Sequence, residues 1–173
     1  MRAPVPSGAV SRSAPRIPAT PATRVLDSAR ITWSGHVYTH DPAVTAYGLE
    51  AATALDVPMD RVFKTLMVTA DDELLVAVIP VAERLDLGAL ASAVSAKRAA
   101  LADRALAERR TGYVAGGISP LGQKHSHRTV IDASAEPHPT VFVSGGRRGF
   151  DVELSPADLV VLTNASVSAI TAP

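Results

Sequence analysis

Two apolar runs of strand length, residues 62–68 and 74–80, flank the polar tetrapeptide Ala70-Asp71-Asp72-Glu73. Runs this short, bounded by a turn signal, predict the two strands of a hairpin. Their apolar residues fall on both faces, so the first reads as a strand buried on both sides. Lys64 is the exception within it. Stripping water from an ammonium is expensive unless a partner offsets the cost. Either Lys64 reaches solvent with its stem on apolar surface, the usual fate of such a residue, or it faces a group that needs a positive charge. The local sequence favours the first reading, and the rest of the chain favours the second.

Other elements gather around this hairpin. Asp41-Pro42 predicts a helix start, with Val44, Tyr47, Ala51 and Leu55 at helical spacing and Val57-Pro58 as the stop. Leu87, Leu90, Ala91 and Val94 mark a short helix after Asp86, and residues 103–110 form another, closed by Gly112. Tyr113-Val114-Ala115, Thr129-Val130-Ile131, Thr140-Val141-Phe142-Val143 and Phe150-Asp151-Val152-Glu153-Leu154 are strand candidates. Ser155-Pro156-Ala157-Asp158 opens a last helix, with Ser155 as cap. Without a regular βαβ rhythm, these elements predict one α+β domain around a mixed, partly closed sheet. It is expected over residues 25–173. Residues 1–24 hold five prolines and four arginines with no acidic residue, which predicts a disordered leader.

Composition narrows the chemistry. Lys plus Arg and Asp plus Glu both total 17, so the balanced charge argues against strong stand-alone binding to DNA or RNA. With no cysteine, disulfides, thiolate nucleophiles and zinc–thiolate sites are excluded. No apolar stretch approaches a membrane span, and a cytosolic location is the default expectation. The five histidines show no spacing of three or four convergent ligands, so neither a metal nor a cofactor is expected.

Two glycine-rich segments carry what chemistry remains. Gly116-Gly117-Ile118-Ser119-Pro120-Leu121-Gly122 and Ser144-Gly145-Gly146-Arg147-Arg148-Gly149 match neither a phosphate-binding P-loop nor a dinucleotide fingerprint. Paired glycines do allow positive φ and close approach to backbone N–H groups, which can form a nest for an anion or a polarised carbonyl. The ordinary reading of each is a hairpin turn. The pairs Lys97-Arg98 and Arg147-Arg148 read as solvated surface.

Taken together, Tyr38-Thr39-His40-Asp41-Pro42, Val62-Phe63-Lys64-Thr65-Leu66, the segment from Thr111-Gly112-Tyr113 through Gln123-Lys124, and the run from Ser144 to Leu154 resemble the YbaK family. More narrowly they resemble its free-standing Cys-tRNA(Pro)/Cys-tRNA(Cys) deacylase branch. The likeness runs in order from about residue 25 to 162. It implies the prolyl-tRNA synthetase-associated domain type: a single α+β domain with a mixed, β-barrel-like sheet flanked by helices. The implied activity is hydrolysis of the ester joining a wrong amino acid to the tRNA 3′ end. On this likeness Lys64, Gly116 and Gly117 are the catalytic positions. Tyr38, Tyr47, Thr65, Ile118, Ser144 and Asp151 contact substrate, with Tyr47 standing where a phenylalanine is also seen.

The implied route is substrate-assisted, the substrate's cysteine side chain attacking its own ester, which agrees with the lack of a recognisable protein nucleophile. The implied partner is prolyl-tRNA synthetase, holding a tRNA that this protein alone binds weakly. Two departures stand out. His125-Ser126-His127-Arg128 replaces a more basic stretch, putting tRNA contacts there in doubt, and family members usually lack the leader. Alternatives are a same-fold enzyme for alanine or serine, and a catalytically silent module binding aminoacyl-tRNA or a synthetase.

Overall fold

The computed structural model describes residues 15–172. The expected hairpin is its centre: β2 (Phe63–Ala70) pairs antiparallel with β3 (Glu73–Pro80), from Phe63 opposite Pro80 to Ala70 opposite Glu73. Asp71 takes the left-handed φ of +48° that the tight turn demands. Its carboxylate accepts the backbone N–H groups of Lys97 and Arg98 at 3.0 and 3.2 Å, tying the turn to the chain entering β4 (Ala99–Leu101).

β4 pairs antiparallel with the far end of β2, and β5 (Thr129–Asp132) lies parallel to β3, followed by β8 (Ser166–Ser168). The resulting order is β4-β2-β3-β5-β8. A second sheet, β1-β7-β6, is antiparallel and contains β1 (Trp33–Val37), β6 (Val141–Arg147) and β7 (Phe150–Leu154). A parallel bridge from Val62 to Phe142 joins the sheets at one corner. The sheet is therefore mixed and barrel-like without closing into a barrel.

β3 best meets the expectation of burial on both faces. Val76 and Val78 enter the main core with Phe63, Met67, Ile131, Val143, Phe150 and Val152, while Leu75, Ala77 and Ile79 join Val68, Leu90, Val130 and Ile170 on the other face. Each fully buried large side chain contributes about 1.5–3 kcal/mol. β2 differs from expectation, because Lys64, Thr65 and Leu66 are only half-buried in succession.

Helices close the outside. α3 (Leu87–Ala93), α4 (Arg104–Thr111) and α5 (Pro156–Thr163) form where their caps predict: Asp86, Asp103 and Ser155 each accept a first-turn N–H, and Gly112 ends α4 at φ +79°. α2 (Tyr47–Leu55) starts five residues beyond Pro42. Asp41 instead caps a local turn, accepting the N–H of Ala43 at 2.9 Å, and the chain between stays irregular. Tyr113-Val114-Ala115, expected as a strand, lies in the long loop after α4, with the Tyr113 hydroxyl donating to the Leu121 carbonyl at 2.7 Å.

The domain also begins before residue 25. Thr20 caps α1 (Pro21–Ala29), Pro21 takes the first helical position where its missing N–H costs nothing, and Ala22 and Leu26 are fully buried. The expected leader is thus corrected over residues 20–24, and the expectation for residues 1–14 lies outside the described residues. Among the described residues, no helix is long and apolar enough to cross a membrane.

Candidate active site

β2 keeps β3 on one edge along its whole length, but its other edge is only partly paired. Just ahead of β2, Val62 bridges to Phe142, and from Val68 onward the outer edge of β2 is covered by β4. Between those points no strand pairs with that edge, and a cleft of about 620 Å³ opens beside it. Lys64, Thr65, Tyr47, Gly116, Ile118, Ser144 and Asp151 all line it, so seven of the nine expected positions converge. Tyr38 and Gly117 do not line it.

Lys64 is neither fully buried nor spread into solvent. Its ammonium donates to the carbonyls of Val81 at 3.2 Å and Glu83 at 2.7 Å, in the segment that follows β3. Among the described residues no carboxylate lies within ion-pair distance of it. Desolvation lowers its pKa, and the nearby charge of Glu83 works in the opposite direction. The cation is therefore oriented by dipoles and left without a full counter-charge. Next to it, the Thr65 hydroxyl is buried and has no hydrogen-bond partner among the described residues.

The opposite wall comes from β6 and β7, where Ser144 and Asp151 face each other across the ladder. A bulge between Ser144 and Arg147 interrupts that ladder, made by Gly145 and by Gly146 at φ +101°. The Asp151 carboxyl is buried, and loss of water pushes its pKa up to about 7. Tyr38 sits behind it, in a neighbouring groove, where burial first and the charges of Asp151 and Glu50 second push the phenol well above its usual range.

The glycine loop forms the roof. Gly116 has φ +84°, and a Cβ there would lie 2.8 Å from the ring of Tyr47. Gly117 allows another close approach, since its Cβ would come within 2.8 Å of the Arg147 backbone. Its N–H donates to Val114 at 2.9 Å, so Gly117 brings the two glycine segments together and is not a free donor. Among the described residues the N–H groups of Gly116 and Ile118 have no acceptor.

Sequence reading missed Arg148. Read as solvated surface, it donates to the Ala115 carbonyl at 2.9 Å and lies 5.0 Å over the Tyr47 ring, clamping loop and aromatic wall together. Its position just past a paired-glycine bulge was the available signal. His40 holds Glu50 at 2.8 Å and His36 holds Glu153 at 2.9 Å, so both are spent in structural pairs. Among the described residues no three His, Asp or Glu side chains converge as metal ligands.

Comparison with known proteins bears on the family and the fold. The model of the aminoacyl-tRNA editing domain matches residues 40–162. A protein of Enterococcus faecalis, by name a candidate Cys-tRNA(Pro)/Cys-tRNA(Cys) deacylase, EbsC, is 36% identical over 121 residues, covering 69% of this chain and 74% of its own. The crystal structure of the hypothetical protein APE2540 superposes with a TM-score of 0.80 at 25% identity, over 88% of this chain and all of the other (100%). The fold is also shared by a crystal structure of a candidate trans-editing enzyme for prolyl-tRNA synthetase, with TM-score 0.74 and 22% identity over 90% of this chain and 100% of that one.

Proposed function

The chain belongs to the aminoacyl-tRNA editing domain family, and from that we propose that it deacylates mischarged Cys-tRNA(Pro), with Cys-tRNA(Cys) as a second substrate. The observation that carries this reading is the ammonium of Lys64, oriented by two carbonyls with no carboxylate in ion-pair distance among the described residues, on the wall of a cleft roofed by a loop with unpaired backbone N–H groups. An aminoacyl ester is already activated, so such a site needs to position it and stabilise an oxyanion more than to supply a strong nucleophile.

The ester carbonyl accepts from the N–H groups of Gly116 and Ile118, with Tyr47 against the aminoacyl group. Lys64 neutralises charge near the terminal ribose or its phosphate. The substrate thiol attacks its own carbonyl: the S–C bond forms, the C–O bond to the ribose breaks, and the thiol proton ends on the departing ribose oxygen. Water then opens the resulting cyclic thioester to free cysteine. Thr65, Ser144 and Asp151 offer polar contacts to the amino-acid end, and Tyr38 acts on it only through Asp151. Selectivity by pocket size is modest, roughly 10–200-fold per methylene-sized difference. A ternary complex with prolyl-tRNA synthetase would restrict the enzyme to the right tRNA, which fits a chain with no net charge.

Lys64→Ala tests the reading. It is expected to slow single-turnover hydrolysis of Cys-tRNA(Pro) roughly a hundredfold, about 2.7 kcal/mol, with an unchanged melting temperature. Near-normal rates in the folded variant would end the assignment. Wild-type assays with cysteinyl-, alanyl- and seryl-tRNA(Pro) in parallel set the substrate: preference for either of the latter two moves the reading to another small amino acid, and no hydrolysis of any makes the chain a binding module.

A further inference from the structure

Beside the cleft lies a second hollow of about 420 Å³, lined by Arg16, Pro18, Val37, Tyr38, His40, Arg147, Arg148 and Gly149. No Asp or Glu lines it. Among the described residues Arg16, Arg147 and Arg148 have no carboxylate within ion-pair distance, and only His40 is paired, with Glu50. In a chain whose charges balance at 17 and 17, three unpaired guanidinium groups around one groove are a local concentration of positive charge. Such a concentration attracts anions even where the net charge does not.

The groove and the cleft share a wall. Arg148 stacks on Tyr47, which lines the cleft, and Tyr38 in the groove feels the charge of Asp151 in the cleft. The backbone of Arg147 and Arg148 presses against Gly117 of the roof. A chain whose last unit occupies the cleft and that leaves across this shared wall passes directly over the groove.

We propose that the Arg16–Arg147–Arg148 groove holds phosphodiester groups of the single-stranded tRNA 3′ end, directing the terminal ester into the cleft. This rests on the deacylase reading above and adds where the RNA runs. Guanidinium groups suit the task because their planar fork matches phosphate oxygens two at a time. Arg148 is committed to the roof through Ala115, so Arg16 and Arg147, both exposed, are the free cations. Arg16 comes from the segment ahead of α1 that sequence reading assigned to a disordered leader. The chain thereby adds a cation to the substrate side from outside the region that matches the family.

The test is binding of uncharged tRNA(Pro) transcript by fluorescence anisotropy across a salt series, which needs no catalysis. Arg16→Glu and Arg147→Glu are each expected to weaken binding about three- to tenfold at low salt. Each should also reduce the slope of log affinity against log salt by about 0.7, the value for one phosphate contact on a single strand. Arg109→Glu, the same charge change on an exposed position of α4, should alter affinity less than twofold. Equal effects from all three reversals, or none, would overturn the groove. Wild-type protein that hydrolyses aminoacyl-tRNA but ignores Arg16 and Arg147 sinks the groove alone. Groove-dependent binding without hydrolysis sinks the deacylase reading and leaves the groove standing.

Discussion

The two ends of β2 are built from the same strand and end up with opposite properties. At Val68–Ala70 the strand has β3 on one edge and β4 on the other, and Val68 and Ala70 are fully buried. At Lys64–Leu66 β3 is still present, the other edge is bare, and all three residues are half-buried. Pairing at one end satisfies the backbone and packs both faces. Its absence at the other leaves a gap where a cation, a lone hydroxyl and unpaired N–H groups collect. The failure of the sheet to close into a barrel and the existence of a cleft are the same structural fact.

If that division holds, damage to the paired end should cost stability and leave chemistry alone. Leu75 lies opposite Val68 and is fully buried. Leu75→Ala is expected to lower unfolding free energy by about 2–5 kcal/mol. Single-turnover rates of the still-folded fraction should match wild type, the mirror image of Lys64→Ala. A rate loss as large as that of Lys64→Ala would mean that the two ends are coupled.

The paired end was the legible end. An apolar run, a turn and an apolar run specify a hairpin by local patterning, and the capping residues of α3, α4 and α5 act within four residues of their targets. Lys64 was legible as an anomaly, and its neighbours in the site were legible only by resemblance. The open end was harder because its determinants are contacts across long separations. Nothing near Lys64 in sequence announces that its ammonium will turn to Val81 and Glu83. The glycine spacing does not say that Gly117 spends its N–H on Val114, or that Arg148 reaches Ala115. Asp41-Pro42 looked like a helix start because the cap signal is local, while the pairing of Glu50 with His40 and the Asp41 N–H that holds this loop is not.

Something other than sheet pairing must hold the open end, and α1 supplies part of it. The Thr20 hydroxyl donates to the Gly145 carbonyl at 2.6 Å, and Gly122 packs against the Pro21 backbone so closely that a Cβ there would lie 2.5 Å away. Both glycine segments are thus braced from the N-terminal side. Removing residues 1–24 deletes the cap, worth about 1 kcal/mol, along with buried Ala22 and Thr23. The shortened protein is expected to melt several degrees lower and to lose deacylase rate at saturating substrate. Removing residues 1–14 should change neither. If the longer deletion also changes neither, α1 is not a brace, and the cleft loops hold themselves.

The smallest expected effect probes the one carboxyl that the open end keeps from water. The Asp151 pKa is raised by burial to about 7, against about 3.9 in an unfolded chain. Between those values the folded protein retains a proton that the unfolded chain has lost. Stability therefore falls as pH rises from about 4 to about 7, and no further contribution accrues above the folded value. His127 works against this trend, since burial lowers its pKa, so folding becomes more favourable as pH rises towards the unfolded histidine value, and nothing further accrues above it. Melting curves of wild type and Asp151→Asn over the same pH series separate the two, because His127 is common to both. The wild type should lose a few degrees relative to the variant between pH about 5 and about 8. Parallel curves would mean that Asp151 is as well solvated as a surface carboxylate, and the open end would then be merely exposed.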